Sequence, residues 1–512
     1  MHERTAILHT LATGSFLLLG ACASVTDTEP ITKDEYQRRV VNDQAQMYGA
    51  QEPVNGPITF YEAAARALKY NLDYRLKLLE KALASNLRDV SSHEMLPTLV
   101  GTAGYRARSN DSGGTSIGIE DRQVSLRPST SEERYHEIDS LGTSWSVLDF
   151  GVAYFRTQQK ADQIRMAEER RRRVAQNVLQ DVRNAYWRAL SAQRLKPEVD
   201  QLLARTRKAL DAAREAEDRG LLPRQETLSY QRALLDSISL LTVRRQDLEF
   251  AQAELIALMS LPPGTRFVLA DQAEPTLPKV VSDIRVLEQL SLSQRPEIME
   301  EWYRKRVDLN DIEIAKSRLW PNIGLDWSFN YDSNQYLYNN NWSQFGIQMS
   351  FNLLKLLQYP ALSATQESQA KTDDMRRIAL SMAILTQVRV GALRYRLACD
   401  EVDFANQSLR VDRSLLDYAR AARKTTLGSE LEVIRAEGRF LLSRYQREAA
   451  YSSAQAAWGR LYNSVGLDVL PEAIEKDDIA TLASAIERTL AKQEALGIEV
   501  GMTTGDSAIA TH

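Results

Sequence analysis

Apolar and polar residues alternate one for one in a few short segments of this chain. From Asn322 to Tyr331, the apolar Ile323, Leu325, Trp327, Phe329 and Tyr331 interleave with Asn322, Gly324, Asp326, Ser328 and Asn330. Successive strand side chains point to opposite faces, so the segment predicts a strand with one oily and one wet face. Gln344 to Asn352 repeats the pattern, with Phe345, Ile347, Met349 and Phe351 opposing Gln344, Gly346, Gln348, Ser350 and Asn352. Each run is about ten residues, the length of a tilted transmembrane strand. The small polar face suits a water-filled lumen. A soluble sheet resting on a core has the same period. Between the runs, Asp332 to Trp342 is rich in Asn and Tyr and predicts an extracellular loop with an aromatic rim. Earlier in the chain the signal is weaker. Trp145 and Val147 alternate with Ser144 and Ser146, and the small, Gly-rich Pro97 to Tyr105 does not define a strand alone.

Elsewhere the period is helical. From Val152 to about Glu217, Val174, Val178, Val182, Ala185 and Ala189 form a stripe spaced by threes and fours. Such a helix spans about 100 Å even if broken near Pro197. A second helical stretch runs from about Gln366 to Thr425, and a helix ends near Met259 at Leu261-Pro262-Pro263-Gly264. The run Arg170–Arg173 lies roughly 30 Å below the strands. With Glu168 and Glu169 beside it, it predicts a solvated face rather than a lipid-phosphate contact.

The pattern occurs twice. At a constant offset, Leu68 falls on Leu292, Asp73 on Glu297 and Pro97 on Pro321. The later match of Ser146–Val147 with Ser350–Phe351 needs a shorter offset, so the loop between strands, about Arg106 to Ser140, is longer in the first copy. Internal duplication of this kind constrains the whole fold. Four strands cannot close a barrel that holds water, and a membrane sheet tolerates no open edge. The strands must therefore be completed by other copies of the chain. Two copies give a packed interior of eight strands, and three give an open one of twelve.

No segment after the N-terminus reaches 18 apolar residues, so any membrane crossing falls to strands. At the N-terminus, a weakly basic start (His2, Arg4) precedes an apolar stretch from Ala6 to Leu19, too short to span a membrane but suited to a signal peptide. It ends in Leu19-Gly20-Ala21-Cys22, which resembles a bacterial lipobox and makes Cys22 the expected lipidation site. The other cysteine, Cys399, sits in a helical pattern with Leu393, Leu397 and Phe404 and is expected to be a small buried residue. The 512 residues carry a net charge of −4, with no polyelectrolyte footprint and no expected nucleic-acid partner. No P-loop, dinucleotide fingerprint or metal-ligand spacing occurs, and no cofactor or catalytic residue is expected.

The order of lipobox, short helix ending in "NLDY", "LP", strand pair and long helical hairpin, then all again, resembles the TolC/OprM type of outer-membrane efflux protein over roughly residues 55–467. The resemblance implies a mainly α fold with a small β part. Three copies would form a twelve-stranded outer-membrane barrel continuous with a periplasmic α-helical barrel. The chain accordingly divides into a signal peptide (1–21), a lipidated segment (22–56), two repeats (57–260 and 283–467) joined by a linker (261–282), and a tail (468–512). Residues 23–56 and 470–512 lack strong periodicity, and the tail is expected to be partly disordered, above all in its last dozen residues. Ile323, Leu325, Trp327, Phe329, Phe345, Ile347, Met349 and Phe351 would face lipid.

The family's hairpin-tip signature, V-G-x-x-S-x-L-D-V, is matched in part by Gly220 with Glu226, and by Gly428, Ser429, Leu431 and Glu432. These tips would dock a periplasmic adaptor joined to an inner-membrane pump. Glu432, followed by Arg435, falls where some relatives ring the closed pore entrance with acids. The implied function is passive conduction in tripartite efflux or type I secretion. A periplasmic adaptor or a structural envelope lipoprotein is the competing reading. An adaptor, however, nests a single hairpin and does not duplicate strand–hairpin units.

Overall fold

The computed structural model describes residues 30–49, 51–124, 127–219, 223–271, 276–278, 283–424, 430–468 and 478–503. Two units are distinguished, 1–53 and 54–512. The first contains one helix, α1 (Lys33–Tyr48), with no buried residue. Thr32 and Glu35 close its N-terminus with a reciprocal capping box, Thr32 Oγ1 accepting from the Glu35 N–H at 3.3 Å and Glu35 Oε2 from the Thr32 N–H at 3.0 Å. This helix lies in a segment whose sequence shows no strong periodicity, because a helix exposed all round leaves no apolar stripe.

The second unit holds both repeats. The first comprises α2 (Phe60–Tyr70), α3 (Leu72–His93), β1 (Thr98–Ala107), β2 (Tyr135–Ser146), α4 (Val147–Asp218) and α5 (Arg224–Leu258). The second comprises α6 (Ile284–Gln294), α7 (Pro296–Ser317), β3 (Asn322–Asp332), β4 (Asn341–Ser350), a 3-10 turn (Leu353–Gln358), α8 (Tyr359–Arg423) and α9 (Glu430–Val465). A last helix, α10 (Ile479–Thr503), follows. The starts of α2, α3 and β1 correspond to those of α6, α7 and β3 at one constant spacing, as the duplication requires. The caps correspond too. Thr59 Oγ1 accepts from the Glu62 N–H at 3.1 Å, and its counterpart Asp283 accepts from the Arg285 N–H at 3.0 Å.

Several sequence boundaries move. "NLDY" begins a helix rather than ending one: Asn71 leaves the helical region and its side chain caps α3 through the Tyr74 N–H at 3.0 Å. Pro97–Tyr105, undefined by its sequence, lies largely in β1, and Val147 is the first residue of α4 rather than a strand residue. The first interstrand loop is correspondingly shorter than expected, 108–134, because both strands extend into it. Pro197 does not break α4, which runs 72 residues. A proline removes one intrahelical hydrogen bond, and here packing on both sides carries the helix through. The tail, expected to lack periodicity and be partly disordered, contains α10, whose Ile479, Leu482, Ile486 and Leu490 are buried. Of the final dozen residues, 504–512 lie outside the described residues.

The four strands form one antiparallel sheet in the order β1-β2-β3-β4. Below it, α3 and then α5 run beside successive parts of α4. Lys81 pairs with Glu168 at 2.9 Å, and Arg188 with Glu254 at 2.6 Å. On another flank of α4 come α7 and then α9, through Arg170–Glu300 at 2.7 Å and Arg183–Gln455 at 3.1 Å. Leu234, Leu241, Leu248 and Leu255 of α5 are all buried at seven-residue spacing, the period of a left-handed coiled coil. The largest core lies where α2 and α10 cover α4 and α9, joining Phe60, Tyr186, Trp187, Tyr451, Trp458 and Ile486. Gly466 ends α9 at φ +82°, and a Cβ there would stand 2.8 Å from the Arg295 backbone. The position needs glycine on both counts.

Candidate conduction surface and assembly faces

Register fixes the two faces of the sheet. Leu99, Thr143, Trp327 and Phe345 lie opposite one another across the four strands, as do Trp145, Leu325 and Ile347. With Ile323, Met349, Phe329 and Leu141 they make one apolar face. Phe345, Ile347 and Met349 are each about two-thirds exposed, so no core of the same chain covers them. This discounts the soluble-sheet alternative, in which that face would be buried. The other face carries Thr98, Ser144, Asp326 and Gly346 in one row, and Val100, Gly142, Ser328 and Gln344 in the next. Thr102 Oγ1 and Ser140 Oγ lie 2.6 Å apart on this wet side. The apolar face of the first copy, invisible in its own sequence, is legible only through pairing with β3. It is diluted by Gly101, Ala103 and Thr143, which bring no bulk.

Strands β1 and β4 each pair on one side only, leaving a row of backbone groups free on each edge. Just past β4, the 3-10 turn exposes Leu353, Leu354 and Leu357, and Trp320 is exposed below β3. At the opposite end, Tyr336 and Tyr338 are exposed in the loop after β3.

That far end is tied together by a cluster of ion pairs and hydrogen bonds between the two interstrand loops. Buried His136 places Nδ1 2.7 Å from Asp332 Oδ1 and Nε2 3.4 Å from Glu132 Oε1. Arg106 pairs with Glu132 at 3.2 Å, and Asn334 Nδ2 donates to the Ser131 carbonyl at 2.9 Å. Loops from both repeats are thereby joined. A lone histidine carries no sequence signal for this, because Asp332, its partner in the other repeat, lies almost two hundred residues away.

The helices carry matching unpartnered stripes. On α3, Leu72, Leu76, Leu79, Leu83, Leu87 and Val90 are exposed, and on α5, Leu228, Leu235, Val243 and Phe250. On α8, Val390, Leu397, Phe404, Val411 and Tyr418 are exposed at strict seven-residue spacing. Cys399, expected to be buried, is half-buried against the core; burial pushes its thiol up from the usual range. Its sequence neighbours Leu393, Leu397 and Phe404 face outward instead.

Arg170–Arg172 are not a simply solvated run. Besides Arg170–Glu300, Arg171 binds Glu168 and the Tyr74 hydroxyl, and Arg172 binds Asp468 at 2.7 Å. At the lower end, Glu226 and Glu432 are exposed in the first turns of α5 and α9, and Arg435 is exposed one turn on. Gly220, Gly428, Ser429 and Cys22 lie outside the described residues, as does the side chain of Leu431. Acids that join elements here include Glu217, to which Gln231 of α5 donates at 2.8 Å, Glu430 and Glu437. Arg205 of α4 reaches Glu430 at 3.0 Å and also holds Glu437, which Arg420 of α8 meets at 3.1 Å.

Residues 64–260 and 287–467 match the family model described as outer membrane efflux protein. The fold is similar to that of the outer-membrane channel OprN, at 16% identity over 80% of this chain and 89% of that one, with TM-score 0.60. It is similar also to the CmeC outer membrane channel of Campylobacter jejuni (11% identity, 88% and 94% covered, TM-score 0.62). The open-state MtrE outer membrane channel of Neisseria gonorrhoeae matches at 14% identity, with 80% and 88% covered and TM-score 0.61. No curated protein sequence matches the chain.

Proposed function

The chain belongs to the outer membrane efflux protein family, and from that premise we propose that three copies form a passive exit duct through the outer membrane and down into the periplasm. The observation that carries this reading is the sheet: an exposed apolar face, a polar face and two unpaired edges. A membrane leaves no backbone group unsatisfied, so β4 of one copy pairs with β1 of the next until the ring closes. Three sheets give twelve strands with the wet face enclosed. Ile323, Leu325, Trp327, Phe329, Phe345, Ile347, Met349 and Phe351 then meet lipid. The stripe on α8 meets those on α3 and α5 of the neighbour, continuing the wall below the membrane.

The remaining assignments extend that reading. Cys22 is acylated and anchors the N-terminus to the outer membrane. The tips, with Gly220, Glu226, Gly428, Ser429, Leu431 and Glu432, dock a periplasmic adaptor that connects an inner-membrane pump. Three Glu432 side chains with Arg435 beside them surround the lower entrance, where like charges repel and cations are attracted. Solutes pass by conduction, without covalent chemistry.

Planar-bilayer recording of the purified full chain tests this. Discrete current steps from a detergent-stable trimer are expected. A monomer that gives no current under any potential would refute the duct.

A further inference from the structure

A cleft of about 460 Å³ opens where α9 ends against the α6–α7 junction, between α4 and α8. Besides Arg295, which pairs with Glu297, three arginines line it, Arg173 of α4, Arg394 of α8 and Arg460 of α9. All three are exposed, and among the described residues none has a carboxylate within ion-pair distance. This sets them apart from Arg170–Arg172 one turn away, each of which is paired.

The amide oxygens of Asn177, Gln180 and Gln387 between them already accept hydrogen bonds. Asn463 Nδ2 donates to both Asn177 Oδ1 and Gln180 Oε1, each at 2.8 Å, so the amide N–H groups of Asn177 and Gln180 remain for the cleft. Arg295 donates to Gln387 Oε1 at 3.1 Å, which leaves that side chain its donors as well. The one carboxylate in the lining, Glu297, has both oxygens engaged by Arg295, at 3.0 and 3.1 Å. Three uncompensated guanidinium groups, with the amide donors of Asn177, Gln180 and Gln387 beside them, suit an oxyanion, since planar guanidinium forks match carboxylate and phosphate oxygens.

The source of the anion follows from position. Asn177 and Arg173 stand on the side of α4 away from the buried Val178, Val182 and Ala185, hence away from the α2 and α10 covering. The whole of α7, about 33 Å at the helical rise, separates the cleft from β3. Lipid headgroups at the barrel are out of reach, and a dissolved anion is the occupant. We propose that this cleft binds solutes carrying several carboxylate or phosphate groups, one cleft per protomer. Its placement on the inner wall rests on the duct reading above.

The test uses inorganic tripolyphosphate as the probe. Calorimetric titration of the full chain in detergent should show salt-sensitive binding, at least tenfold weaker in R173Q/R394Q/R460Q. All three side chains are exposed and unpaired, so that variant should keep its melting temperature and oligomeric state. In bilayers, tripolyphosphate should reduce wild-type current and leave variant current unchanged. Equal affinity in both proteins, or none in either, would overturn the site. Binding without any current steps would instead overturn the duct while leaving the cleft standing.

Discussion

Glu168 shows how single residues fasten the helical wall. Its hydrogen bond to Arg171, with further help from Lys81, holds its carboxyl down to about 2 from an ordinary 4.5, against a burial effect that works the other way. A carboxylate depressed on folding contributes stability that is complete above its unfolded value and disappears as pH falls through the folded one. The contribution is therefore present at neutral pH and lost between about 4.5 and 2. After allowance for partial exposure it is on the order of 1–2 kcal/mol. E168Q should accordingly melt earlier than wild type at pH 7, with the gap closing as pH approaches 2. Thermal melts across that range check it, and a gap that widens on acidification would contradict the assignment. Arg171 links this pair to Tyr74 of α3, so the same substitution loosens the contact between α3 and α4.

Among the elements, the hairpin ends are joined most visibly by Arg205, which touches two acids of α9 while Arg420 and Arg423 of α8 grip the same pair from the other side. Removing the central cation leaves Glu430 and Glu437 facing α4 without their shared partner. Exposed pairs contribute little each, roughly 1 kcal/mol for a small network. R205Q should thus speed amide exchange in the first two turns of α9 about fivefold and leave the buried middle of α4 unchanged, as mass spectrometry of exchange would read. Helices of this kind were legible in the sequence, since Val178, Val182, Ala185 and Ala189 advertise their buried face by spacing alone. So was the second strand pair, where large apolar residues fill every other position. The first pair is faint because Gly101, Ala103 and Thr143 dilute its apolar face, whereas the buried side of α10, Ile479, Leu482, Ile486 and Leu490, has ordinary helical spacing and was legible by the same rule. The ion-pair cluster around Arg205 and the loop cluster around His136 join residues too far apart in sequence for spacing to reveal them.

For the whole molecule, the question is whether one protomer's unpartnered surfaces fit another's. The exposed apolar stripe of α8, from Met375 to Tyr418, is about 65 Å long at the helical rise. Those of α3 and α5, which run in succession beside α4, measure about 27 and 33 Å. The lengths match when the two short stripes are laid end to end against the long one. Different patches meet in such a contact, so it is heterologous and closes into a ring only when the rotation per copy allows. The sheet edges impose the same direction, β4 toward the next β1. Burying an aromatic side chain on such a seam contributes about 2–3 kcal/mol, repeated at every interface of the ring. A carboxylate there must instead be dehydrated without a partner, which costs several kcal/mol. Phe404 sits in the middle of the stripe and is two-thirds exposed in the protomer, so F404E leaves the isolated chain's own core untouched. It should convert the detergent-extracted trimer to monomer by light scattering while helical circular dichroism stays unchanged. A trimer that survives F404E would place the seam on another face of α8 and detach the wall of the duct from the stripes described above.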